Sequence, residues 1–381
     1  MAHIAVITTS FPGEKPGSEA AGSFVRDFTE ELAKHVQVTV LAPGLQEELQ
    51  DSSHYTVRRF TAPNLPLSLL RPGNVTHWPR ILQVLRSGQI ALSDIVEHAS
   101  IDHIFALWAL PPGYWAWRML RTHGVPYSVW VLGSDIWSFA GVPVIRSVLK
   151  TVLRNSSRCY ADGFELGAEV ERLSNVSCHF LPSSRSLGDR IYDEQVSSVP
   201  PYRLAFLGRW HANKGIDVLL NALRLLDDSD WKKIESVRIA GGGRLESLVR
   251  DLGNALHASH HPVMIEGYKD KEAAIELLTW ADYVLIPSRK DSIPVVFSDA
   301  MQLSRPVIVA PAGDLSMLVD DYGVGIVSED SSPQAFAAAI KQATQSQPDS
   351  YKDGLKKAAS NFALEETAKR VITELLQTSN Y

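Results

Sequence analysis

Several things are scarce in this chain, and each scarcity excludes something. Two cysteines, Cys159 and Cys178, occur in 381 residues, too few for a disulfide framework and without CxxC or metal-ligand spacing. They are expected to be free thiols of a reducing compartment. No apolar run reaches the ~18 residues that suggest a membrane-crossing helix. The N-terminus, MAHIAVITTSF, lacks the basic start and long apolar core of a signal peptide, so it reads as a first buried strand and the expected location is cytoplasmic. Positive charge is also short: 37 Lys and Arg against 43 Asp and Glu leave a formal charge of −6, whereas general nucleic-acid binders show a basic balance. No His/Asp cluster has ligand spacing, so no metal is expected. The glycines of IAGGG do not form GxGxxG and no fingerprint acid follows, which disfavours a nicotinamide cofactor.

What is present is alternation. His3 to Thr8 is a short apolar run, Phe24 to Lys34 has helical spacing, and Val36 to Leu41 is β-branched. Ile101 to Phe105 and Tyr127 to Leu132 continue the pattern, as expected of a parallel sheet wound with helices. The Ser-rich, Pro-Pro-closed segment 182–201 reads as a linker. Alternation then restarts at Arg203–Leu207, Val237–Ala240, Val263–Glu266, Tyr283–Ile286 and Val307–Val309. The expected organisation is an acceptor-side domain over 1–181, a linker over 182–201, a nucleotide-sugar domain over 202–362 and a closing helix over 363–381. That length exceeds one comfortable core.

The second half carries four strand-to-helix motifs: FLGRWHANKGIDVLLNAL, IAGGG, VLIPSRKDSIPVVFSDAM and RPVIVAPAG. Such junctions gather loop amides and positive helix ends, where α/β sheets hold anions. Gly208 is expected to turn the chain after its strand, placing Arg209 and Lys214 on the following loop to neutralise a leaving diphosphate. Gly242 is expected to allow close backbone approach. Asp291, Ser292, Ile293 and Pro294 form a second loop, with Pro294 suited to a first helical turn, and Asp299 follows eight positions after Asp291.

Together these motifs resemble the donor-binding domain of retaining GT-B glycosyltransferases of the family 4 type, related to glycogen synthase and mannosyltransferases. The Gly-Arg…Lys-Gly element matches Gly208, Arg209, Lys214 and Gly215, and the family's two acids, usually Glu, match Asp291 and Asp299. The resemblance implies two Rossmann-like parallel-sheet domains facing a cleft. It also implies transfer of a hexose from a nucleotide sugar, UDP or GDP most readily, to a hydroxyl acceptor with retention. Asp299 would hold the ribose, Asp291 the transferred sugar, and Gly22 would let the first loop approach the phosphates. A nucleotide-sugar epimerase or hydrolase, or a non-catalytic nucleotide-sugar binder, are the alternatives.

On the acceptor side the family's His-Gly-x-Asp appears as Leu132, Gly133, Ser134 and Asp135. Asp135 and Ser134 are expected to face the acceptor, with Trp108 nearby. Loss of the His removes a sugar contact but no nucleophile. Trp115, Trp117, Trp130 and Trp137 crowd the same stretch, where packing is the commoner role. Finally, eleven Lys/Arg oppose four Asp/Glu between Arg58 and Arg158. Arg146, Lys150, Arg154 and Arg158 recur every fourth residue beside an apolar stripe, so contact with an anionic membrane is one expectation and a solvated helix face is the other.

Overall fold

The computed structural model describes residues 1–13, 22–63, 67, 70, 73–139, 141–188 and 196–378. Two compact units are present: Met1–Pro182 together with Leu364–Tyr381, and Ser183–Ala363.

The first unit is built on strands β1 (His3–Ile7), β2 (Gln37–Gly44), β3 (Glu48–Asp51), β4 (Thr56–Thr61), β5 (His103–Leu107), β6 (Tyr127–Val131), β7 (Arg158–Ala161) and β8 (Cys178–Phe180). They lie in the order β3-β4-β2-β1-β5-β6-β7-β8. Every neighbouring pair is parallel except β3 with β4. A parallel sheet is covered on both faces, which is why β1 is apolar at every position after His3 instead of alternating. Ile4 and Val6 pack with Val25, Phe28 and Leu32 of helix Ser23–Ala33. Ala5 and Ile7 face the opposite cluster, with Trp115, Met119 and Val152. Helix Leu364–Thr378 places Leu364, Ala368, Val371 and Leu375 in the first of these clusters, and Tyr160 Oη donates to Glu374 at 2.7 Å.

The second unit contains β9 (Tyr202–Arg209), β10 (Ile234–Gly242), β11 (Val263–Glu266), β12 (Tyr283–Ile286), β13 (Val307–Val309) and β14 (Gly325–Val327). All are parallel, in the order β11-β10-β9-β12-β13-β14. The described part of the segment read as a linker is tied into this unit: the Ser197 amide donates to Asp282 at 2.7 Å, and Arg185 reaches Asp299. Residues 189–195 lie outside the described residues.

Each sheet has one place where strand order reverses, between β1 and β5 and between β9 and β12. Crevices beyond the carboxyl ends of strands at such switch points are where open α/β sheets bind ligands. The loops after β9 and β12 are those of Arg209–Lys214 and Asp291–Pro294. The loops after β1 and β5 lead to Gly22 and Trp108.

Candidate functional site

In the second unit the strands outrun the sequence reading. Gly208 and Arg209 remain inside β9, paired with Gly241 and Gly242 of β10. Gly208 therefore does not make the turn. The turn falls at Gly215, which has a φ of 65° and precedes helix Ile216–Leu223. A Cβ there would sit 1.7 Å from the Pro287 carbonyl oxygen, so the loop after β9 lies tight against the end of β12. Gly215→Ala should therefore cost roughly 1–3 kcal/mol of stability from backbone strain alone; a urea melt matching the wild type would refute this close approach.

The cations divide into two kinds. Lys214 Nζ donates to Asp291 Oδ1 at 2.7 Å, joining the two loops, whereas the Arg209 side chain is exposed. Arg289, which sequence reasoning passed over, clamps Asp217 through two 2.7 Å bonds and donates to the Ala212 carbonyl at 2.9 Å. Burial raises the Asp217 carboxyl, but the Arg289 bonds outweigh it and hold it below its ordinary value. Counted with Lys290, these loops hold four cations, Arg209, Lys214, Arg289 and Lys290, against two carboxylates, Asp217 and Asp291. The local excess is positive within an acidic chain.

Beside them lie buried polar atoms without partners among the described residues: Asp291 Oδ2, Ser292 Oγ and Ser298 Oγ. A buried unsatisfied oxygen is costly unless a ligand or water reaches it. Ile293 is buried. Pro294 is the cap before helix Val295–Gln302 and not its first turn. Gly242 lies under the ring of Tyr268, an exposed aromatic at the end of the neighbouring β11 loop.

Asp299 is placed differently from expectation. It is fully buried, and its carboxylate is gripped side-on by Arg185, with Nε donating to Oδ1 at 3.2 Å and the second nitrogen donating to Oδ2. Ribose contact would require Arg185 to move. Arg185 was hidden from sequence reasoning because it sits in the apparent linker, 114 positions away.

In the first unit, Gly22 has a φ of 83°, and a Cβ would approach the Ser10 carbonyl oxygen to 2.4 Å. Ser10, just after β1, thus lies tight against the helix start at Gly22; residues 14–21 lie outside the described residues. Trp108 follows β5 at φ 76° and ψ 136°, a sparsely populated region for a bulky residue. The Ala109 amide that follows it donates to Asp135 Oδ2 at 2.6 Å, while the Leu132 amide reaches Oδ1 at 3.4 Å.

Asp135 is therefore not a group facing an acceptor. It is 2% exposed and spent on backbone amides. Burial pushes its carboxyl up to about 6 against those hydrogen bonds. Ser134 is exposed at the start of the short helix Ser134–Phe139, and Trp108 is partly exposed. Trp115 and Trp130 are core, with indole donors bonded to the Leu85 and Leu181 carbonyls.

The basic stripe also changes. Helix Pro143–Asn155 carries Arg146, Lys150 and Arg154 but ends before Arg158, which opens β7 and lies 3.8 Å from Glu374. Arg154 Nε donates to the Ser174 carbonyl at 2.8 Å. The four cations do not form one free row. Among the described residues, no three His, Cys, Asp or Glu are grouped to hold a metal ion, and no helix is long and apolar enough to cross a membrane.

Two parallel-sheet α/β units with loops gathered at their switch points define the GT-B fold of glycosyltransferases. The computed structure matches sucrose-phosphate synthase from Thermosynechococcus elongatus with a TM-score of 0.76 at 16% identity, over 99% of both chains. It matches Anabaena Alr3699/HepE in complex with UDP-glucose at 0.68 and 15% identity, over 99% of this chain and 100% of that one. More particularly, residues 201–346 match the family described as Glycosyl transferases group 1. The D-inositol 3-phosphate glycosyltransferase of Jonesia denitrificans is 30% identical over 177 residues, 43% of this chain and 40% of that protein. The chain is thus matched over less than half the length of that relative.

Proposed function

We propose that this protein moves a hexose from a nucleotide diphosphate sugar to a hydroxyl acceptor, a glycan or lipid-linked glycan, with retention at the anomeric carbon. The observation that carries the proposal is the pair of cation-rich loops at the β9/β12 switch point, where Lys214 bonds Asp291 while Asp291 Oδ2 and Ser292 Oγ have no partner among the described residues. UDP or GDP is the proposed carrier. HepE, a structure of the same fold, is recorded with UDP-glucose.

In the proposed reaction the bond between the anomeric carbon and the diphosphate oxygen breaks as the acceptor oxygen bonds to the same carbon. The acceptor proton passes to the leaving phosphate on that sugar face, so no enzymic nucleophile is needed. Arg209 and Lys214 stabilise the charge that grows on the diphosphate, where fixed cations act most strongly. Asp291 and the Ser292 hydroxyl are left to hold the sugar. Asp299 would take the ribose once Arg185 releases it, and Gly22, Trp108 and Ser134 would serve the phosphate and acceptor sides. Asp135 acts by positioning the Trp108 turn.

The test is a thermal-shift screen against UDP, GDP, ADP and dTDP, followed by their sugars. A ligand at a hundred times its dissociation constant adds about 2.7 kcal/mol, a clear rise in melting temperature. The expected result is a selective shift that is lost in Arg209→Ala and Lys214→Ala. No shift with any nucleotide would sink the proposal. A shift without turnover on any acceptor would favour a non-catalytic binder, the reading that Leu132 and the Arg185–Asp299 pair support. Release of free sugar without acceptor would favour a hydrolase.

A further inference from the structure

The outer face of helix Trp78–His98 is unlike that of a helix whose only task is to cover a sheet. Its inner face is conventional: Val84, Gly88, Ala91, Leu92 and Ile95 are buried. The opposite face should then be polar. Instead Leu82 and Ile90 stand 56% and 58% exposed, with Trp78 at 44% on the first turn and Val75 at 77% just before it. Leu82, Arg86 and Ile90 lie at four-residue spacing, so they form one row along the helix. Arg86, in the middle of that row, is exposed.

Charge decides what such a face would meet. From Ser52 to Ser93 the chain contains no Asp or Glu. The nearest acids on the helix, Asp94 and Glu97, lie at its far end, where Asp94 is paired with Arg58. Apolar side chains around an exposed arginine, with an indole at one end, are the make-up of a helix lying in the headgroup region of a membrane. A second copy fits poorly, because an antiparallel pairing centred on this row would set Arg86 against Arg86.

We infer that the face Val75–Ile90 is a docking surface for anionic lipid, with Trp78, Leu82 and Ile90 entering the interface and Arg86 meeting phosphate headgroups. This replaces the Arg146–Arg158 stripe as the membrane contact, since that stripe is interrupted by bonds within the fold. The inference does not depend on the transferase reading. Binding to vesicles needs neither donor nor acceptor.

The experiment is co-sedimentation of the full chain with phosphatidylcholine vesicles, with and without phosphatidylglycerol. Binding is expected only with the anionic vesicles and should weaken as salt is raised. Arg86→Glu reverses one charge, and at about 1 kcal/mol per charge near an anionic surface it should reduce partitioning by roughly tenfold or more. Leu82→Gln with Ile90→Gln should reduce it comparably; both positions are exposed, so melting should be unchanged. As a second readout, brominated lipid should quench wild-type tryptophan fluorescence more than that of Trp78→Phe. Failure of the wild type to sediment overturns the inference, as does unaltered binding by these variants. Concentration-dependent dimerisation abolished by the Leu82/Ile90 variant, without vesicle binding, would assign the face to a second copy and overturn it equally.

Discussion

Replacing Lys214 by alanine is expected to lower turnover by about 100- to 1,000-fold, the usual cost of removing one fixed group that stabilises transition-state charge. Nucleotide affinity should fall less. Lys214 is a cation that bridges the β9 and β12 loops, through its 2.7 Å bond to Asp291, and the exposed Arg209 remains in the β9 segment to attract a diphosphate in the ground state. Charge on the leaving oxygen grows during bond breaking, so the lysine matters most at that moment. Lys214→Arg should recover little, because the planar fork cannot replace a point charge at the end of this short bridge. The pair is more than three-quarters buried, with 24% and 18% of the two side chains accessible, so its loss is expected to cost more than the ~1 kcal/mol of an exposed pair, and the melt must show that the variant is still folded under assay conditions. The check is steady-state kinetics on the acceptor found by screening, together with a melt. A fall in donor affinity with unchanged kcat would show that Lys214 only binds. Unchanged kinetics would remove it from the site.

Much of this framework was legible because parallel strands buried on both faces write themselves as apolar runs. Val263–Glu266, Tyr283–Ile286 and Val307–Val309 were read with the bounds the structure gives them. Reading failed where strands end in glycine. The ladder continues through Gly208–Gly241 and Arg209–Gly242, yet glycine has low strand propensity and looked like a turn. The acid-flanked β3 (Glu48–Asp51) and the arginine-bearing β4 (Thr56–Thr61) were missed for a related reason. Arg59 is buried with its guanidinium donating to the Pro43 and Pro12 carbonyls at 3.2 and 2.7 Å, which no local pattern encodes.

The site divides the same way. Cations and carboxylates announced themselves by their spacing at strand ends, so Lys214 and Asp291, which the structure bonds to each other, could be picked out from sequence. Other partners could not. Arg185 and Arg289 act on residues 114 and 72 positions away, and a contact of that kind exists only once the sheet order is set. Asp135 shows the complementary error. A carboxylate near a glycine looks available, but the amides of Leu132 and Ala109 had already taken it.

That burial gives Asp135 a pH signature. Its carboxyl sits at about 6 in the folded chain, against an ordinary 3.8. A raised folded value means the native state holds the proton more tightly than the unfolded chain. The resulting stability is fully present below pH ~3.8 and is lost as pH rises through about 6. Two units correspond to about 3 kcal/mol. Asp135→Asn has no proton to lose. It can still accept from the Ala109 amide, but its own NH2 would oppose the Leu132 amide, a conflict costing roughly 1–3 kcal/mol. The variant should therefore be clearly less stable than wild type near pH 4.5, with the deficit shrinking by about 2 kcal/mol or more by pH 7.5. Urea melts at the two pH values measure this, and a deficit independent of pH would show that Asp135 is not titrating in the core. Asp135→Ala removes both acceptors and frees the Ala109 amide, so Trp108 can leave its strained φ of 76°. Acceptor KM should then rise while nucleotide affinity, which the proposed function assigns to the other unit, stays unchanged. Equal losses on both substrates would instead mean that the aspartate supports the fold as a whole and not the Trp108 turn in particular.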